Sequence, residues 1–157
     1  TLLILRHAEK TGDKRDPHLS EDGQQRAEKL ASYIPEQFGK PNFLIAATSS
    51  KRSQRPIETV QPLADALNLD IADQFDDEEV DAMVEYLGQT PAYTGKFGVI
   101  SWRHSDIPAL VGALGAIDGT YPQDWDEAVF DLMIDLMIEV AFRDGAPPQA
   151  RQNTMPF

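Results

Sequence analysis

The chain has 157 residues, a net charge of −12, 41% hydrophobic residues and no cysteine. That length is enough for one domain with a substantial core, here residues 1–157. The charge argues against a nucleic-acid partner, whose affinity rests on phosphate contacts, and the missing thiol excludes disulfides, thiolate nucleophiles and cysteine zinc sites.

Residues 2–5 (Leu-Leu-Ile-Leu) are apolar on both faces, as in an interior strand of a parallel sheet. The run ends abruptly in Arg6 and His7, and a polar loop over 9–22 follows. A helix then carries Ala27, Leu30, Ala31 and Ile34 on one stripe, with Ser20 as N-cap and Glu21 and Asp22 in its first turn. A second strand is expected at 43–47, ending in Thr48-Ser49-Ser50. A helix from about 55 to 67 follows, with Pro56 in its first turn and Pro62 expected to kink it.

The stripe Val80, Met83, Val84, Leu87 predicts a helix over 77–87 capped by Asp76 or Asp77. The strand at 97–102 ends in Arg103 and His104, and Ser105 or Asp106 caps a helix bearing Leu110, Val111 and Leu114. Alternation of apolar and polar residues predicts a strand or hairpin within 129–142. The tail, 143–157, holds a Pro-Pro pair, Gly145 and few apolar residues, and reads as irregular. Alternating strands and helices predict a three-layer α/β/α sandwich around a mostly parallel sheet.

Two apolar strands therefore each end in an Arg-His pair, and ligands bind outside the carboxyl ends of strands in such sheets. Cations gather at three strand ends: Arg6, Lys10, Lys14, Arg15, Lys51, Arg52, Arg55 and Arg103. An acidic chain with a basic mouth draws a small anion to one place. Lys14, Arg15 and Arg52 read as ordinary solvated loop residues, and His18, with no strand behind it, as structural or exposed. Trp102, Trp125, Met133 and Met137 read as core.

Four ordered segments resemble the histidine phosphatase superfamily, the phosphoglycerate-mutase-like fold: Leu5-Arg6-His7-Ala8-Glu9-Lys10, Leu19-Ser20-Glu21-Asp22-Gly23-Gln24-Gln25-Arg26-Ala27, Arg55-Pro56-Ile57-Glu58-Thr59-Val60, and the strand ending in His104. The resemblance implies a phosphatase of the compact bacterial type. It makes His7 the nucleophile, forming a phosphohistidine, and His104 its partner in the phosphate pocket. Arg6 and Arg55 would grip the phosphoryl oxygens with planar, always-charged forks. Arg55 is preferred to Arg52 because Thr59 follows it by four residues, as the family pattern requires. Lys10 is a further candidate phosphate contact. So is Arg103, which stands where the family often has glycine.

For a proton donor to the leaving oxygen, the resemblance offers Asp77, Glu78 and Glu79 after the second arginine and Asp106 after the second histidine. Asp106 comes first, being two residues from His104. No metal or other cofactor is expected, since no histidine pair has metal-ligand spacing. The partner would be a small phosphorylated substrate or a phosphoprotein. The rivals are a phosphoglycerate-mutase-type phosphotransferase and a non-catalytic phosphate-binding module. No apolar run reaches the roughly 20 residues of a membrane span, and no signal-like segment precedes the first strand. A cytoplasmic location is expected, with a cleaved signal peptide left open.

Overall fold

The computed structural model describes residues 1–137 and 147–157. Its strands are β1 (Leu2–Arg6), β2 (Phe43–Ala46), β3 (Ile71–Ala72), β4 (Gly98–Trp102), β5 (Leu132–Met137) and β6 (Gln149–Thr154). The helices are α1 (Glu21–Phe38), α2 (Arg55–Leu67), α3 (Val80–Gln89) and α4 (Ile107–Ala113). The six strands form one mixed sheet in the order β3-β2-β4-β1-β5-β6. β1 to β4 run parallel, while β5 and β6 add an antiparallel edge.

The apolar run at the start of the chain explains the layers. Successive strand side chains point to opposite faces. Leu3 and Leu5 pack with Leu30 and Ile34 of α1 and with Val60 and Leu63 of α2. Leu2 and Ile4 pack with Val80 and Met83 of α3 and with Ile107 and Leu110 of α4. Helices therefore cover both faces, which is why β1 has no polar alternation. Burying each such leucine or isoleucine contributes about 1.5–3 kcal/mol.

Ser20 caps α1 as expected, its Oγ accepting the Gly23 amide at 3.1 Å. The second helix also falls where expected and continues through Pro62. Two expectations need correction. The helix placed at 77–87 begins only at Val80, because Asp76 first closes a tight turn: its Oδ1 accepts the Glu78 amide at 3.1 Å and its own amide donates to Glu79 at 2.8 Å.

The tail read as irregular contains β6, paired antiparallel with β5 from Leu132↔Thr154 to Met137↔Gln149. Its sequence, Gln-Ala-Arg-Gln-Asn-Thr, carries no hydrophobic alternation, because an edge strand needs only backbone pairing. Two-residue β3 is too short to show a period and had no place in the sequence reading. Within 129–142 the strand is real at β5; residues 138–142, like 143–146 of the tail, lie outside the described residues. Trp102, Trp125 and Met133 are core as expected, and the Met137 side chain is outside the described set. Among the described residues no helix is long and apolar enough to cross a membrane.

Candidate active site

β1 and β4 are neighbours in register, with Arg6 opposite Trp102. Both Arg-His pairs therefore leave the sheet side by side, and the His7 amide donates to the Trp102 carbonyl at 3.1 Å. A cleft of about 710 Å³ opens at this edge. Arg6, His7, Lys10, Arg55, Arg103 and His104 all line it, as do Asp76, Asp77, Glu78 and Glu127.

His7 is 5% exposed. Its Nδ1 lies 2.8 Å from the Ala8 carbonyl oxygen. A carbonyl only accepts, so Nδ1 carries the hydrogen and Nε2 keeps the lone pair. Burial pushes the imidazole pKa down to about 3, and the cations of Arg6 and Arg55 push the same way. His7 is therefore neutral at ordinary pH. The Ala8 amide is fixed in turn by Thr59, whose Oγ accepts it at 2.8 Å and donates to the Arg55 carbonyl at 2.7 Å. The buried Thr59 thus ties the loop after β1 to the first turn of α2.

Arg6 is 1% exposed. Its Nη1 donates to the carbonyls of Glu127 at 2.5 Å and Val129 at 3.1 Å, and the guanidinium lies 3.7 Å from the centre of the Phe130 ring. Its Nε and Nη2, the edge that can grip two oxygens, are buried without a protein partner. Burial lowers its pKa to about 10 against the pull of Glu127 and Glu9, which leaves it charged near neutrality. Arg55 is arranged alike: Nη1 donates to the Asp16 carbonyl at 2.8 Å, and Nε is buried and unpartnered. Burying such donors unpaired costs free energy unless an anion takes them up.

His104 follows β4 in a short 3₁₀ turn, and its Nδ1 is buried without a partner. Burial lowers its pKa, with Arg6 and Arg103 adding to the effect. Lys10 is ion-paired to Glu127 at 3.0 Å. Arg103 is half exposed and lies 3.7 Å from Asp77. Arg52, read from the sequence as a solvated loop residue, is exposed but lines the cleft. His18 is outside the cleft; its Nδ1 meets Glu58 Oε2 at 2.8 Å, a structural contact as expected.

The carboxylate ranking from sequence also shifts. Asp106 is not among the residues lining the cleft, and neither is Glu79. The reason is local: His104–Asp106 forms a 3₁₀ turn, so a residue two positions on faces another side. Asp106 makes no side-chain cap bond to α4 either. Asp77 does line the cleft, held there by the Trp102 Nε1 hydrogen bond to its carbonyl at 2.8 Å. Burial raises its pKa to about 6, with the neighbouring Asp76 and Asp106 carboxylates reinforcing the shift and Arg103 opposing it.

Residues that sequence reading missed are those supplied from afar. The 127–130 segment that grips Arg6 comes from more than 120 positions away, and no local pattern marks it. Thr59 was legible only as part of a motif. Among the described residues no group of three or more His, Asp or Glu is placed to hold a metal ion.

An α/β sheet that brings two imidazoles and the half-satisfied Arg6 from its strand ends together with the half-satisfied Arg55 from the first turn of α2 defines a phosphate-handling enzyme site. The Histidine phosphatase superfamily (branch 1) profile matches residues 2–93. The chain belongs to that superfamily and is a phosphatase of its type. No curated protein matches the chain.

Several solved structures share the fold. Among them, the protein histidine phosphatase SixA complexed with tungstate is 16% identical, with a TM-score of 0.63 over 97% of this chain and 93% of that one. Phosphoserine phosphatase from Entamoeba histolytica, in complex with 3-phosphoglyceric acid, is 12% identical, with a TM-score of 0.64 over 99% and 97%. Mycobacterial glucosyl-3-phosphoglycerate phosphatase with inorganic phosphate is 16% identical, with a TM-score of 0.57 over 99% and 96%.

Proposed function

We propose that the protein hydrolyses a phosphomonoester or a phosphohistidine through a covalent phosphohistidine on His7, without a metal ion. The observation that carries this is the state of His7: neutral, with Nδ1 tied to the Ala8 carbonyl and Nε2 left as the nucleophile. Nε2 attacks phosphorus in line, and the bond from phosphorus to the leaving oxygen breaks. The transferring group spreads charge over three oxygens. The Nε–Nη2 edge of Arg6, Nε of Arg55 and His104 are the unpartnered groups available to receive it.

Asp77, protonated part of the time near its raised pKa, supplies a proton to the leaving oxygen. Water then attacks the phosphohistidine, returns a proton to Asp77 and releases inorganic phosphate. Lys10 and Arg103, each held by a carboxylate at the rim, contact the substrate beyond its phosphoryl group.

Hydrolysis is favoured over mutase transfer because α2, β3, α3 and β4 take up most of the stretch from Arg55 to Arg103, and only the short loop bearing Asp76, Asp77 and Glu78 borders the cleft. The substrate is a small phosphorylated molecule or a phosphoprotein, and a cleft this wide admits more than a phosphate ion. The net charge disfavours nucleic acid, and the lack of cysteine suits the cytoplasm. Rapid quench with radiolabelled aryl phosphate tests the mechanism: acid-labile, base-stable label should appear on His7. Turnover without such an intermediate would overturn it.

A further inference from the structure

Two residues beyond His7, Glu9 carries a carboxylate that is only 23% exposed. Arg26 on α1, 13% exposed, grips it side-on. Nε donates to both carboxylate oxygens at 2.9 and 3.0 Å, and Nη2 donates to Oε1 at 2.7 Å. The remaining arm of Arg26 is occupied elsewhere, with Nη1 donating to the Phe157 carbonyl and to Met155 Sδ.

The backbone of Glu9 does not depend on this pair. Its carbonyl accepts the Ser20 amide at 2.8 Å and the Ser20 hydroxyl at 3.3 Å. Gly23 presses so close that a Cβ there would come within 2.3 Å of the same oxygen. The loop is fixed by Ser20, Gly23 and Thr59, so what Arg26 holds is the carboxylate itself.

That carboxylate matters because Glu9 follows Arg6 by three positions on the loop leaving β1, and its charge, after that of Glu127, acts on the Arg6 guanidinium. Arg6 also has a whole donor edge, Nε and Nη2, with no protein partner. A loose Glu9 carboxylate beside an unsatisfied fork forms the charge-assisted pair that a phosphate would otherwise form.

We propose that Arg26 is a positioning residue that sequesters the Glu9 carboxylate and so keeps the Arg6 fork free for the phosphoryl group. The inference rests on Arg6 being a phosphate ligand, and it makes Glu9 a competitor rather than a contributor. Losing Arg26 harms the site through Glu9, so removing the Glu9 charge as well repairs it.

The test is a four-protein cycle of wild type, Arg26→Gln, Glu9→Gln and the double variant. Each is assayed for para-nitrophenyl phosphate hydrolysis and, by calorimetry, for binding of inorganic phosphate. Arg26→Gln should raise KM and the phosphate Kd about tenfold, the size of one charge-assisted hydrogen bond, with kcat changed far less. The double variant should return both to within about twofold of wild type. A merely structural role predicts the opposite, a double variant no better than the single one.

Overturning results are a phosphate Kd in Arg26→Gln within twofold of wild type, or no rescue in the double variant. If Arg26→Gln does not fold, Arg26→Lys takes its place: a smaller rise cancelled by Glu9→Gln supports the proposal, and a rise that persists overturns it. Calorimetry reads the competition even if wild type turns nothing over, which separates failure of this inference from failure of the phosphatase reading.

Discussion

The two Arg-His pairs look alike in sequence, and the fold treats them differently. Arg6 and His7 are 1% and 5% exposed, and each has one side fixed by backbone carbonyls and the other left for a ligand. Arg103, half exposed, rests loosely against Asp77, and His104 sits in a 3₁₀ turn at the rim. The difference comes from neighbours. β1 is flanked by β4 and β5, so what leaves its end is enclosed by the 127–130 segment. β4 ends beside the shorter β2, where the cleft opens. Burial leaves one histidine neutral and oriented by the Ala8 carbonyl, while the other pair's arginine stays half exposed.

The sharpest way to break that contrast is His7→Ala, which removes the Nε2 lone pair that the proposed mechanism uses for in-line attack. Activity should fall below about 10⁻⁴ of wild type with the fold retained, read by steady-state assay and circular dichroism. Arg55→Lys comes next. Lysine keeps the charge and loses the planar fork, so kcat/KM should drop about 10²–10³-fold, as for other preorganised donors.

Asp77→Asn should slow alkyl phosphates about 10²-fold and aryl phosphates little, because only a poor leaving group needs the proton. Asp106→Asn, outside the cleft, should not discriminate between them. Equal slowing of both substrates by Asp77→Asn would remove it as the acid.

A stability measurement sharpens the same comparison. The folded pKa of His7 is about 3, below the ordinary 6.5. As pH falls from 6.5 toward 3, the unfolded chain binds a proton that the folded one refuses, so stability is lost. The slope attributable to this group is up to about 1.4 kcal/mol per pH unit. Urea titrations at pH 7 and 4.5 should show a larger loss in wild type than in His7→Ala. The smallest effect belongs to the rim: Arg52→Lys should change kcat/KM by no more than about threefold, since the exposed charge is retained.

Much of this was legible locally. Apolar runs stopping at Arg-His mark strands buried on both faces, and Ser20 with its trailing acids marks a helix start. These signals are local because the causes are: strand period, capping and side-chain charge act over a few residues. The polar β6 strand, by contrast, left no trace in its own residues, since its partner is β5 and its bonds are backbone.

The sequence alone determined which chemical groups are present, that two apolar runs end in them, and that they suit a small anion, which the family resemblance makes a phosphate. Tertiary structure decided how those groups behave. It set Asp77, and not Asp106, in the lining of the cleft, because a 3₁₀ turn directs Asp106 to another side while Trp102 holds the Asp77 backbone. It closed Arg6 under carbonyls from residues 127 and 129, and set Arg26 on Glu9 across 17 positions. Burial and orientation are sums over neighbours brought from the whole chain, and those sums set a pKa or free a donor edge.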